Sequence, residues 1–324
     1  MLKKYLNKFI FVLWFFVSFS VNIKAKEDNF IIHHVLDSHE WHFFSTKKYD
    51  FTIPLPIIIL SQKGIDIFLS NKLKKNSPKG YKGFYINEKG KIGSVDKTLK
   101  FLDLSITKNV AAMFLSFLIL LLIFLYCAFW YKKNSFSKTP NGIVNAVEMM
   151  IDFLKNDILI PNIGEQYKKF GPYLLTIFFY IWLNNMLGLL PGSANLTGCI
   201  SVTACLAILT FLVTNINGSR HYWHHLFCPN VPKFLYPIMV PIEIISLFTK
   251  PMTLMIRLFA NITSGHIILL SIINLAFIFQ SYTVGVACVF LNIFMLILKI
   301  IVSFLQAYIF TLLSAIYIRN AIEK

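Results

Sequence analysis

The sequence predicts an all-α polytopic membrane protein. The mature chain is expected to have five membrane-crossing helices, the last two long and steeply tilted, plus one amphipathic surface helix. Three observations carry this reading. Hydrophobic residues make up 56% of the 324 and charged residues only 14%, against about 25% charged in soluble domains. Mean hydropathy is +0.64. Apolar runs of spanning length are separated by connections whose basic residues alternate in a way that sets topology.

The N-terminus, MLKKYLNKFIFVLWFFVSFSVNIKAKED, places Lys3, Lys4 and Lys8 before a short apolar core from Phe9 to Val21, with Ala25 as a small residue for cleavage. Residues 1–25 therefore read as a signal peptide, with an uncleaved anchor as the alternative. Residues 26–109 read as an exported polar arm, partly ordered. Within it TIPLPIIIL, Thr52 to Leu60, is expected to be extended, since Pro54 and Pro56 exclude a helix. KNSPKGYKGFYINEKGKIG reads as loop.

The membrane domain is expected over 110–324. Val110–Tyr131 is a clean span, and Lys132, Lys133 and Lys138 mark its cytoplasmic end. From Asn141 to Pro161, Ile143, Val147, Met150, Ile151 and Leu154 recur at helical spacing. Asn145, Glu148, Asp152 and Lys155 lie on other faces, so this segment reads as a surface helix. Phe170–Leu190 and Cys199–Asn215 are the next spans, joined by PGSANLTG, which has no Lys or Arg. NGSRHYWHHLFCPNVPKF supplies Arg220 and Lys233 inside. Its Trp223 and Tyr222 suit the headgroup level, and its His221, His224 and His225 fit an interfacial hairpin better than a metal site. The last two tracts run from about Pro237 to Leu275 and from Thr283 to Ile318. At ~1.5 Å per residue each nearly doubles a ~30 Å hydrocarbon core. They must tilt or break, and Pro241 and Pro251 favour a bend in the first. Arg319 and Lys324 put the C-terminus in the cytoplasm and the arm outside.

Several function classes fall away. The net charge of +16 comes without a basic helix, aromatic platform or zinc pattern, so no nucleic acid partner is expected. The arm contains His33, His34, Asp37, His39, Glu40 and His42, but at no defensible metal spacing. Neither metal nor cofactor is expected. Cys127, Cys199, Cys205, Cys228 and Cys288 include no CxxC and read as small buried residues. No P-loop occurs, so the chain has no catalytic nucleotide site of its own.

The chemistry lies in the polar residues of the apolar tracts. Charges there cost roughly 2.5–3.5 kcal/mol or more and are usually functional. Glu243, Lys250 and Arg257 are seven residues apart, so they share a stripe, and Asn261 extends it. Lys299 and Gln306 repeat that spacing on the last tract. Glu243 falls toward the cytoplasm, Arg257 near the middle and His266 toward the outside. Glu and His exchange protons near neutral pH, whereas Arg does not. The arrangement reads as two half-paths divided by a fixed cation.

SLFTKPMTLMIRLFANITSGH and FLQAYIFTLLSAIYI resemble subunit a of the membrane sector of F-type ATP synthase, as does NNMLGLLPGSANLTG. The resemblance covers about Val110 to the C-terminus. The arm looks like a longer N-terminus of some bacterial members. It implies a stator in the bacterial inner membrane, working with a ring of c subunits, the b subunits of the peripheral stalk and the rest of the complex. Arg257 matches the family's essential arginine, which acts on the ring carboxylates. Asn261, His266 and Gln306 match positions of the outer half-channel and the arginine neighbourhood; Glu243 and Ser246 match the inner side. Lys299 departs from the pattern, standing where relatives usually have Glu or His. Either it exchanges protons itself or water and His266 serve the outer path. Met255 also departs, at a site that is often small. The alternative class, a proton-coupled secondary transporter, would be expected to carry internal repeats, and none is found.

Overall fold

Alternating apolar runs set out the helices, and a computed structural model gives their limits. It describes residues 39–45, 50–61, 64–75, 80–86, 92–95, 101–134, 139–189, 196–227, 232, 236–279 and 282–322. The expected signal peptide and His33, His34 and Asp37 lie outside these residues. The chain divides into two units, one of 1–111, 191–194 and 265–298 and the other of 112–190, 195–264 and 299–324.

In the first unit the arm is built from short strands. They are β1 Glu40–Ser45, β2 Asp50–Pro54, β3 Pro56–Ser61, β4 Gly64–Leu69, β5 Phe84–Ile86, β6 Ile92–Ser94 and β7 Phe101–Asp103, with helix α1 Ser70–Lys75 between β4 and β5. They form antiparallel sheets β1-β2, β4-β3-β7 and β5-β6. The extended reading of 52–60 resolves into two strands parted at Leu55. The loop reading of 75–93 is corrected: β5 and β6 pair there, because Phe84 and Ile92 bury themselves in one core with Ile57, Ile59, Phe68 and Leu73. Gly80 makes the preceding turn at φ +72, and a Cβ there would stand 2.7 Å from the Phe84 carbonyl oxygen. His39 is buried, its Nε2 3.7 Å from Asp103 Oδ2.

The helices follow: α2 Lys108–Asn134, α3 Ile143–Leu154, α4 Ile160–Ile163, α5 Tyr167–Leu187, α6 Ile200–Ile216, α7 Arg220–Phe227, α8 Tyr236–Phe279 and α9 Tyr282–Ile322. Three of them, α2 and the main parts of α8 and α9, are long and apolar enough to cross a membrane; α6 is apolar but shorter. At 44 and 41 residues, α8 and α9 reach roughly 60–65 Å. Pro241 and Pro251 lie within a helix that continues through both. In α3 the inward stripe runs through Val144, Val147, Ile151 and Leu154 and on to Ile158 in a π turn, Lys155–Leu159. Ile143, expected on that stripe, is exposed. One residue's offset turns it about 100° away.

In the second unit the core gathers Leu174, Phe178 and Ile181 of α5, Leu206 and Ala207 of α6, Leu254 and Leu258 of α8, and Ala307, Phe310 and Ile318 of α9. Aromatic edges tie its helices together. Phe178 sits 5.8 Å from Phe304, Trp182 6.1 Å from Phe304, Phe124 5.3 Å from Phe179, and Phe211 stacks on Phe248 at 5.9 Å. Cys127, Cys199, Cys205 and Cys288 are free thiols among the described residues.

Candidate functional site

The polar residues of α8 and α9 meet in one register. Asn261 Nδ2 donates to Gln306 Oε1 at 2.7 Å, and Lys250 Nζ lies 5.8 Å from the Tyr317 ring centroid. The two contacts are eleven residues apart on each helix, so they are successive steps of one antiparallel packing. That register sets Arg257 level with Phe310, an apolar buried residue that gives the guanidinium no partner.

Arg257 points elsewhere for a local reason. Leu254 and Leu258, four residues apart, are both buried and hold one face of α8 against the core. Arg257 falls beside that face, about 100° from Leu258, and is exposed. Its neighbours Met252 and Ile256 are exposed too. Asn261, one turn on and about 40° around from Arg257, lies on the same edge. A fixed cation thus stands at the outward edge of α8, one turn from an amide pair that reaches the interior. Gln306 itself is only 2% exposed, and its Nε2 has no hydrogen-bond partner.

Glu243 and Ser246 lie half-buried in the first part of α8. Tyr222 of α7 is close enough to Glu243 to feel its charge: burial raises the phenol's pKa, and the carboxylate adds to that shift. Tyr222 also donates to Asn215 Oδ1 at 3.3 Å. Lys299 is half-buried, seven residues before Gln306 on α9. His266 belongs to α8, but its side chain lies outside the described residues.

One polar pair entered the reading of the sequence only as part of a quoted motif, with no role of its own. Asn184 and Asn185 of α5 are buried, and Asn185 Nδ2 donates to the Ser303 carbonyl at 3.2 Å. Both Asn Oδ1 atoms, like Trp182 Nε1, lack a hydrogen-bond partner. Ser303 is one turn before Gln306, so unpaired polar atoms line α9 at two successive turns. The signal was the Asn-Asn pair itself, two amides side by side in an apolar run. Among the described residues, no three potential metal ligands come together.

These features define a class: a multi-pass helical membrane protein whose buried amides and exposed Arg257 lie along two overlong antiparallel helices. The family described as ATP synthase A chain matches residues 110–319, and a domain of unknown function matches 30–112. "ATP synthase subunit a" of Chlorobium phaeobacteroides (strain BS1) is 41% identical over 294 residues, 89% of this chain and 74% of that relative. "ATP synthase subunit a" of Chloroherpeton thalassium is 45% identical over 224 residues, 68% of this chain and 67% of that relative. "ATP synthase subunit a 2" of Chlorobaculum tepidum is 46% identical over 222 residues, covering 67% and 63%. The chain belongs to the ATP synthase subunit a family.

Proposed function

We propose that this chain is the proton-channel stator of an F-type ATP synthase. It carries no catalytic nucleotide site and works within that complex against a ring of c subunits, with the b subunits of the peripheral stalk beside it. Its five crossings are α2, α5, α6, α8 and α9. The arm stands on the periplasmic side of the inner membrane, after a signal peptide, and the C-terminus is cytoplasmic.

In this reading Arg257 attracts each deprotonated ring carboxylate as it passes and blocks direct proton transfer between the half-channels. Glu243 and Ser246 serve the cytoplasmic half-channel. Asn261, Gln306, His266 and Lys299 serve the outer one. The observation that carries the reading is the exposure of Arg257 one turn from the Asn261–Gln306 bond. A lone membrane cation is costly when it faces hydrocarbon, and a ring of carboxylates is the partner that offsets the cost.

Cysteine cross-linking tests this. In the assembled complex with native cysteines replaced, Ile256→Cys, beside Arg257 and exposed, is expected to form a disulfide with a cysteine placed next to the ring carboxylate. Phe129→Cys, on the exposed side of α2, is expected not to. Cross-linking from Phe129 alone would put the ring on another face. Lys299 has its own test. If it exchanges protons, Lys299→Glu moves the pH profile of proton flux to lower pH by at least about one unit, because carboxyls release protons well below amines. An unmoved profile removes Lys299 from the path.

A further inference from the structure

The arm's central sheet packs one face into a core and leaves a second face that is apolar throughout. Its inner face supplies Ile57, Ile59 and Phe68 to the core. The outer face follows from the register. β3 pairs β4 with Leu60 opposite Ile65, Ile58 opposite Ile67 and Pro56 opposite Leu69. β7 sets Leu102 opposite Leu60. The ladder runs on past β7, where Leu104 N donates to the Ile58 carbonyl at 2.9 Å and Ile106 N to that of Pro56 at 3.1 Å. Three cross-strand rows result: Leu102–Leu60–Ile65, Leu104–Ile58–Ile67 and Ile106–Pro56–Leu69. All nine are apolar, and Ile65 and Ile67 are 65% and 66% exposed. An antiparallel sheet with one face in water usually turns polar residues to it. A continuous apolar second face marks an interface.

Two observations say what covers it. The third row ends at Ile106, and α2 begins at Lys108. At 27 residues, α2 is about 40 Å long, enough to cross the hydrocarbon and carry its first residues to headgroup level. The third row therefore ends one residue before the helix that enters the membrane. The surrounding segment is also basic: residues 40–109 hold 13 lysines against six carboxylates and no arginine, which suits anionic headgroups.

We propose that this sheet face is a lipid-docking surface. Its three aliphatic rows lie at the acyl–headgroup boundary of an anionic bilayer, and lysines of the arm meet the headgroups. The test uses the full chain, its five native cysteines replaced, in vesicles of phosphatidylethanolamine and phosphatidylglycerol. A nitroxide is attached at Ile67→Cys, at Leu102→Cys on a separate strand, or at Lys82→Cys. Lys82 bonds Asp66, which alternates with Ile65 and Ile67 and so marks the opposite face. The ratio of collision with oxygen, which enters lipid, to collision with a water-soluble nickel chelate is expected to be several-fold higher at 67 and 102 than at 82. If one of the two labelled variants fails to fold, the other decides. A ratio equal to that at 82 would mean a solvated face and overturn the proposal. Protection from both reagents would mean a protein cover and overturn it equally.

Discussion

Arg257→Ala is expected to lower proton-driven ATP synthesis by about a thousandfold in a complex that still assembles. The size follows from the charge removed. A guanidinium and a carboxylate ~4 Å apart attract by about 4 kcal/mol at an effective dielectric of 20. That corresponds to about three pKa units, so the ring carboxylate would no longer release its proton at a useful rate. Assembly is expected to survive because Arg257 is exposed while the buried Leu254 and Leu258 hold the helix. Passive proton flux through membranes stripped of the catalytic sector is expected to persist or rise, since the block between the half-paths is gone. Arg257→Gln, which keeps hydrogen bonding but not charge, should lose synthesis alike. Synthesis at the normal rate in either variant is incompatible with the mechanism.

Phe178→Ala is expected to have the largest effect on stability. Phe178 is fully buried and touches Phe179, Trp182 and Phe304. Deleting its ring removes the Phe178–Phe304 contact, one of those that hold α5 against α9. Packing rather than water expulsion drives helix association in lipid, and a buried Phe→Ala costs about 3 kcal/mol or more. A fall of roughly 5–10 °C in the melting temperature of the purified chain would follow. Activity should fall in part as well, because Phe304 lies between Ser303 and Gln306 in the stretch of α9 that meets Asn185 and Asn261. Phe129→Ala, on the exposed side of α2, is the control and should change stability by no more than about 0.5 kcal/mol. Equal shifts at 178 and 129 would mean that the aromatic cluster does not hold the bundle.

Much of the membrane part was legible because its helices are continuous apolar runs. Val110–Tyr131, expected as a span, lies within α2 Lys108–Asn134, and Cys199–Asn215 differs from α6 Ile200–Ile216 by one residue at each end. The overlong final tracts emerged as two helices nearly twice a bilayer's need. Side-chain direction was harder to read. The spacing of α3 put Ile143 on the inward stripe, but packing against the bundle buries Val144 in its place. The arm was least legible. Its β5 and β6 have three residues each, too few for alternation to stand out among glycines and lysines. At the site, Arg257, Asn261 and Gln306 announced themselves as polar residues in apolar tracts. The link between Asn261 and Gln306 needed the helix register, and that between Asn185 and Ser303 joins residues 118 apart in sequence. No local pattern contains such a pairing.

The account's central claim is that Arg257 faces a ring carboxylate between two proton paths. A density map of the assembled complex measures this most directly. The account predicts the exposed edge of α8 packed along the ring, with the Arg257 guanidinium within about 4 Å of a ring carboxylate and Asn261–Gln306 one turn away. A map in which Arg257 faces lipid, or in which the ring packs against the exposed side of α2, would contradict it.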